Sequence, residues 1–308
     1  MKLFRQLLFL IAITQLLTVQ SQAQDIRLPV IDMHMHSQTD IWAEKRLCFP
    51  QPCERLPSKI RDPEQLRPAA LAEMEKYNVV LAVVSGELDE VLKWTDGEED
   101  NFMTGIAIKR PDQISYSDLK NLLESGRVQV LGELGLQYQA IPIDDPSVDP
   151  MLALAHALDI PVHVHVAGLG GTPDFPIHLG NPLRIAKVLR KYPGLRIYLE
   201  NASWPFLEEV TSLMYQYPSV YADISTILHL TPRPVAYRYL KSLIDNGLGK
   251  RLMYGSDQMI WPEVIGETIE AIETADFLTE EQKRDILYNN AARFLRLSNE
   301  QIAVHHQN

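Results

Sequence analysis

Two cysteines in 308 residues are too few for a disulfide framework, so a fold of this length must rest on an apolar core. Basic runs are missing too. The chain carries 29 Lys and Arg against 40 Asp and Glu, a formal net charge of −11, with the acids scattered rather than massed. An acidic surface repels phosphate backbones, which argues against nucleic acid as a partner and for a small substrate. No internal repeat, low-complexity stretch or obvious linker breaks the sequence, and no second membrane segment follows the N-terminal one. The cysteines, Cys48 and Cys53, have four residues between them. In an oxidising compartment such a pair can close a small disulfide, and without nearby histidine it makes a weak zinc signature.

The first residues have the order of a signal peptide, expected over residues 1–23. Lys2 and Arg5 precede an apolar run over residues 7–19, and Ser21-Gln22-Ala23 supplies small residues at the two positions a signal peptidase reads. That run is shorter than the ~20 residues a spanning helix needs. The mature chain, residues 24–308, is therefore expected to be periplasmic or secreted, with no stable membrane insertion after cleavage. A homo-oligomer stays open.

Past Pro29, short apolar runs alternate with amphipathic stretches, the pattern of a parallel sheet with helical crossovers. Strands are expected over residues 30–35, 79–84, 104–108, 128–133, 160–166, 196–199, 220–223 and 251–254. Eight strands close a single (β/α)8 TIM-type barrel. Helices are expected over residues 64–77, 181–192, 205–217 and 233–246. A last helix over 279–297 opens on a Thr279/Gln282 capping box. Long loops over residues 37–61 and 167–180 follow strand carboxyl ends, where barrel active sites lie.

Polar residues collect at those ends. His34 and His36 flank Met35, and alternate strand residues share a face, so both imidazoles are expected to point inward. Alone the pair is too common to trust. The fourth strand, however, ends in Glu133, the fifth in His163-Val164-His165 and the eighth in Gly255-Ser256-Asp257. Buried acids and histidines are rare individually, and imidazole with carboxylate suits zinc and related divalent cations. As a set, these residues point to a bound metal ion at the rim of the barrel.

Taken together, these segments resemble the amidohydrolase superfamily and, within it, the amidohydrolase-related branch of metal-dependent hydrolases. The resemblance is carried by Ile31-Asp32-Met33-His34-Met35-His36, Gly132-Glu133-Leu134-Gly135-Leu136, Pro161-Val162-His163-Val164-His165, Tyr254-Gly255-Ser256-Asp257 and Asn289-Asn290-Ala291-Ala292-Arg293-Phe294-Leu295. It implies His34, His36 and Asp257 on one metal, with Glu133 and His165 shared with or belonging to a second. It also implies that Asp257 takes a proton from the activated water and passes it to the leaving group. The metal expected is zinc, with manganese as the alternative.

One position departs from the pattern. Where the family has a histidine after strand six, this chain reads Glu200-Asn201-Ala202-Ser203-Trp204-Pro205. An amide is a poor zinc ligand beside imidazole. Either the site holds one ion rather than two, or Asn201 contacts substrate, or Glu200 replaces the ligand. Alternation sets Glu200 on the face opposite Asn201 and disfavours the last.

Lys109 and Arg110 could meet a substrate carboxylate, while Trp204, Tyr138, Trp261 and Trp42 could wall a pocket. His163 is read as packed core, His178 and His229 as solvated, and His305 and His306 as a disordered tail. Ser203 and Ser256 lack a nucleophile-elbow context. The leading expectation is hydrolysis of a small amide, lactone or other ester. The alternatives are decarboxylation of a small carboxylic acid, and a binding protein whose metal site has degenerated.

Overall fold

Short apolar runs become eight parallel strands, each hydrogen-bonded to the next in chain order. They are β1 (Val30–His36), β2 (Val79–Ser85), β3 (Phe102–Ile108), β4 (Val130–Leu134), β5 (Val162–Val164), β6 (Ile197–Leu199), β7 (Val220–Asp223) and β8 (Leu252–Met253). This computed structural model describes residues 27–37, 60, 62–168, 170 and 174–307. Backbone bonds join the two ends of the sheet: Met33 N–H to Tyr254 O at 3.0 Å, Asp257 N–H to His34 O at 2.8 Å, and His36 N–H to Gln258 O at 3.0 Å. The barrel is the expected (β/α)8 architecture, and strand limits fall within two residues of those read from the sequence.

Helices on the outside cover the sheet: α1 (Leu66–Lys76), α2 (Leu88–Thr95), α3 (Tyr116–Glu124), α4 (Asp149–Ala157), α5 (Ile185–Lys191), α6 (Leu207–Gln216), α7 (Ile227–Leu230), α8 (Arg233–Asp245) and α9 (Val264–Glu273). Their apolar stripes recur at helical spacing. In α3, Ser115 accepts the Asp118 N–H as a cap while Leu119, Leu122 and Leu123 turn inward. In α8, Ala236, Tyr239, Leu240 and Leu243 do the same. The Thr279/Gln282 capping box forms as expected and starts α10 (Glu280–Arg284). A π-helical turn, Asp285–Asn289, then leads into α11 (Asn290–Leu295). The tail corrects its expectation. A second capping box, Ser298 with Gln301, starts α12 (Asn299–His305), and the Tyr288 hydroxyl lies 2.9 Å from His305 Nδ1.

Two apolar layers result. Leu131, Val164, Leu199, Ala222 and Leu252 lie between strands and helices. Ile31, Met33, Leu81, Val83, Val130, Tyr198 and Met253 fill the barrel, with Tyr288, Ala291 and Phe294 from the terminal helical segment against them. Strict alternation from Ile31 and Met33 would put Met35 inside and both histidines outside. A register shift against β2 between Asp32 and Met35 reverses the phase, and Met35 joins the outer layer. β4 uses the same device. Ile106 of β3 pairs with both Leu131 and Gly132, so Val130 and Glu133 both face inward. Gly132 is required there: its φ is +143°, and a Cβ would lie 2.4 Å from the His163 carbonyl oxygen.

Residues 1–23, Trp42, Cys48, Cys53 and most of the loop after β1 lie outside the described residues. Among the described residues no helix is long and apolar enough to cross a membrane.

Candidate metal centre

The two register shifts deliver their residues to one spot at the carboxyl ends of the strands. His34 Nε2 and His36 Nε2 stand 3.1 Å apart. Asp257 Oδ1 is 2.9 Å from the second and 3.5 Å from the first. Gly255 makes room for this approach, since a Cβ there would lie 2.9 Å from His34 Cβ. Glu133 bridges outward, its Oε2 3.6 Å from His36 Nε2 and its Oε1 3.1 Å from His165 Nδ1. His165 Nδ1 also meets Glu200 Oε2 at 2.6 Å. Ligand atoms of His34, His36 and Glu133, of His34, Glu200 and Asp257, and of Glu133, His165 and Glu200 each lie within 4.8 Å of one another.

Glu200 corrects the sequence expectation. Alternation is right, but the inward phase belongs to Tyr198 and Glu200, because Leu199 joins the outer layer. Asn201, Ala202 and Ser203 then take positive φ values of 55°, 45° and 56°, so alternation ends at Glu200. Asn201 is buried and committed to protein partners. Its Oδ1 accepts the Thr226 N–H at 2.7 Å, and its Nδ2 donates to Glu200 Oε1 at 2.8 Å. It positions Glu200 rather than facing a substrate.

A layer of polar groups beneath orients the donors. His34 Nδ1 is 3.1 Å from Ser225 Oγ, which donates to Asp223 Oδ1 at 2.5 Å, so the far nitrogen of His34 is turned to the centre. The Thr226 hydroxyl donates to Asp257 Oδ2. His163 lies below, stacked 4.2 Å from Tyr198, with Nε2 3.3 Å from Asp223 Oδ2. Asp32 Oδ1 accepts the His34 N–H at 3.0 Å and the Ser256 N–H at 2.9 Å, tying β1 to the segment after β8. Asp32→Ala is expected to orphan both buried donors and cost about 2–4 kcal/mol, whereas Asp32→Asn, which keeps an acceptor oxygen, costs less. Chemical denaturation of both variants checks this.

The charges are mutually dependent. Burial would lower His165, yet Glu200 and Glu133 lift it to about 10. Burial pushes Glu200 up to about 7, with Glu133 adding and His165 opposing. Asp257 would rise on burial, but His34 and His36 hold it below the ordinary carboxylate range. His163 falls to about 4 through burial and the charge of His34. Burial and the charges of Glu133, Glu200 and Asp257 push the Tyr138 phenol well up. Without a cation, imidazole protons must screen these carboxylates. Two imidazole nitrogens 3.1 Å apart and a carboxylate oxygen 2.9 and 3.5 Å from them form a triangle of lone pairs that a divalent cation fits.

Other expected residues lie elsewhere. Lys109 is exposed, its Nζ 5.9 Å from the Tyr138 ring centroid, and Arg110 pairs with Asp112 at 3.0 Å. Trp204 packs on the outer apolar layer, and Trp261 is part of that layer rather than a pocket wall. His178 is exposed and His229 half-buried. Asp32, Asp223, Ser225 and Thr226 were not expected in the site, and Glu200 was the disfavoured alternative ligand. The signal for two of them was available: Asp223 ends β7 in phase with Tyr221, as Glu200 follows Tyr198.

The family model for amidohydrolase matches residues 31–297. Protein fluG of Emericella nidulans is 24% identical over 177 residues, covering 51% of this chain and 20% of that protein, so the matched region spans about a fifth of that relative. An uncharacterized TIM-barrel protein from Bordetella bronchiseptica aligns with a TM-score of 0.64 at 18% identity, over 87% of this chain and 99% of its own. A probable 2-pyrone-4,6-dicarboxylic acid hydrolase from Acinetobacter baumannii gives 0.62 at 13% identity, over 88% and 100%. A dihydroxybenzoic acid decarboxylase from Polaromonas sp. JS666, solved with bound manganese, gives 0.63 at 12% identity, over 89% and 99%. At these identities the structures establish a shared fold.

Proposed function

This chain belongs to the amidohydrolase family, and from that premise we propose that it is a metal-dependent hydrolase of a small amide, lactone or other ester. One observation carries the choice of hydrolysis. Glu133, Glu200 and Asp257 all face the centre, and among the described residues no lysine or arginine pairs with any of them. A substrate carboxylate would enter against three acids, and among the described residues no lysine or arginine stands against them to receive it there. A neutral carbonyl meets no such repulsion.

His34, His36 and Asp257 would hold one zinc or manganese ion tightly, with Glu133, His165 and Glu200 forming the adjoining wall of donors. A divalent cation in such a site lowers the pKa of water toward ~7 and polarises a scissile carbonyl. Asp257 Oδ1 takes the proton of the attacking water and returns it to the leaving group. Thr226 fixes the other oxygen of that carboxylate, which keeps Oδ1 turned to the centre. Ser225 and Asn201 hold His34 and Glu200 in place from below. The signal-like order of residues 2–23 supports placing the reaction outside the cytoplasm.

Decarboxylation is the second reading, favoured by the decarboxylase names among proteins of similar fold and by Lys109 near the Tyr138 ring. A screen of zinc- and manganese-loaded protein against lactones, esters, amides and aromatic acids separates the two. The expected result is acid release from a neutral substrate, abolished by a chelator. Carbon dioxide release from an aromatic acid, without turnover of any ester or amide, would overturn the hydrolytic reading.

A further inference from the structure

We propose that Tyr138 is a catalytic residue whose phenol donates a hydrogen bond to the substrate oxygen that gathers negative charge as the bond breaks. This rests on the hydrolytic reading and supplies a protein donor that the reading lacks. Among the described residues, the polar hydrogens of the groups that hold the acids in place are already engaged. Thr226 gives its hydroxyl hydrogen to Asp257, Ser225 gives its own to Asp223, and the Asn201 amide donates to Glu200. Ionised Glu133 and Asp257 can only accept, and both oxygens of Glu200 are already engaged, Oε1 by the Asn201 amide and Oε2 by His165.

Tyr138 differs from all of these. It sits in the short turn Leu136–Gln139 that follows β4, one turn beyond Glu133. Its ring centroid is 4.5 Å from that of His165 and 5.3 Å from that of Phe175. Its hydroxyl lies 3.5 Å from His165 Nδ1, the outer limit of a hydrogen bond. That nitrogen already faces Glu200 at 2.6 Å and Glu133 at 3.1 Å. It either carries its hydrogen toward those acids or turns its lone pair to a cation, and in neither state does it accept from a phenol. The O–H is therefore available to a third group. Tyr138 is 41% exposed as a residue while its phenol is turned in toward the acids, which sets it between solvent and the donor cluster. Gly135 sets the ring position, since a Cβ there would lie 3.1 Å from Tyr138 Cδ2. No proton is transferred. The phenol donates throughout, and its bond strengthens as charge builds on the oxygen.

Tyr138→Phe keeps the ring and removes the donor. Zinc content, binding of acetohydroxamate by calorimetry, and kcat and KM on a compound the wild type hydrolyses are measured together. Expected are unchanged zinc, acetohydroxamate binding weakened about tenfold, and kcat lowered about 100-fold with KM within threefold, the scale of losing one such donor. Gly135→Ala, which pushes the ring while keeping the hydroxyl, lowers kcat by a smaller factor. If the wild type binds acetohydroxamate and turns over, and Tyr138→Phe matches it in both, the Tyr138 assignment falls and the hydrolytic reading stands. If the zinc-loaded wild type neither binds acetohydroxamate nor hydrolyses anything, the hydrolytic reading falls and takes this assignment with it.

Discussion

Asp257→Asn is expected to lower turnover by about 10³–10⁴-fold, the upper range for loss of a general base combined with loss of a charge at the reacting centre. The amide has the shape of the carboxylate but neither its charge nor its capacity to take a proton. In the native site Oδ1 is 2.9 Å from His36 Nε2 and Oδ2 receives the Thr226 hydroxyl. His34 and His36 hold the group below the ordinary carboxylate range, so it is ionised at neutral pH and able to accept. Asparagine must point an NH₂ at either His36 or Thr226, and that contact must reverse its direction or break. The stability cost is then about 1–3 kcal/mol, small beside the kinetic loss. Rates on the substrate identified by screening, with a thermal melt and metal content on the same sample, check this. Full activity in the variant would remove Asp257 from the mechanism.

The barrel was legible because each strand is a short apolar run between helical stretches, a signal that survives errors of one or two residues at the ends. The donors were legible because they sit at strand ends. What period-2 reasoning lacked was phase. His34 and His36 face inward only through the shift between Asp32 and Met35, and Glu133 only through the doubled pairing of Ile106. A bulge adds a residue without marking the sequence, apart from a glycine such as Gly132 whose backbone needs it. At β6 the same reasoning gave the right alternation and the wrong inward residue, because Asn201 was taken for the missing histidine. A residue beyond a strand end is not bound by its period, and three positive φ values in a row redirect the chain there. Asp223, Ser225 and Thr226 were missed because β7 reads as an ordinary strand. Asp223 could have been read from its phase with Tyr221, but the roles of Ser225 and Thr226, beyond the strand end, are visible only when β7 is laid beside β1 and β8.

Replacing both His34 and His36 with alanine is expected to strip the metal, leaving under about a tenth of the wild-type content, since even groups that merely support a ligand cost 10–100-fold in affinity. The same change removes the imidazoles that oppose the effect of burial at Asp257. In the native fold that acid lies below its ordinary range because His34 and His36 outweigh burial, whereas Glu133 is held down first by His165, which the variant keeps. With His34 and His36 gone, burial dominates at Asp257 and its folded pKa rises above the unfolded one. A group raised in the folded state stabilises below its unfolded pKa and loses that contribution as pH climbs through the folded value. The double variant should therefore be destabilised at neutral pH by about 3–5 kcal/mol, the cost of leaving buried charge unpaired, and regain part of the deficit near pH 5. Elemental analysis and denaturation at pH 5 and pH 8 read the two effects separately. Unchanged metal content would refute the ligand assignment. An equal stability loss at both pH values would mean that Asp257 finds another partner once the histidines are gone.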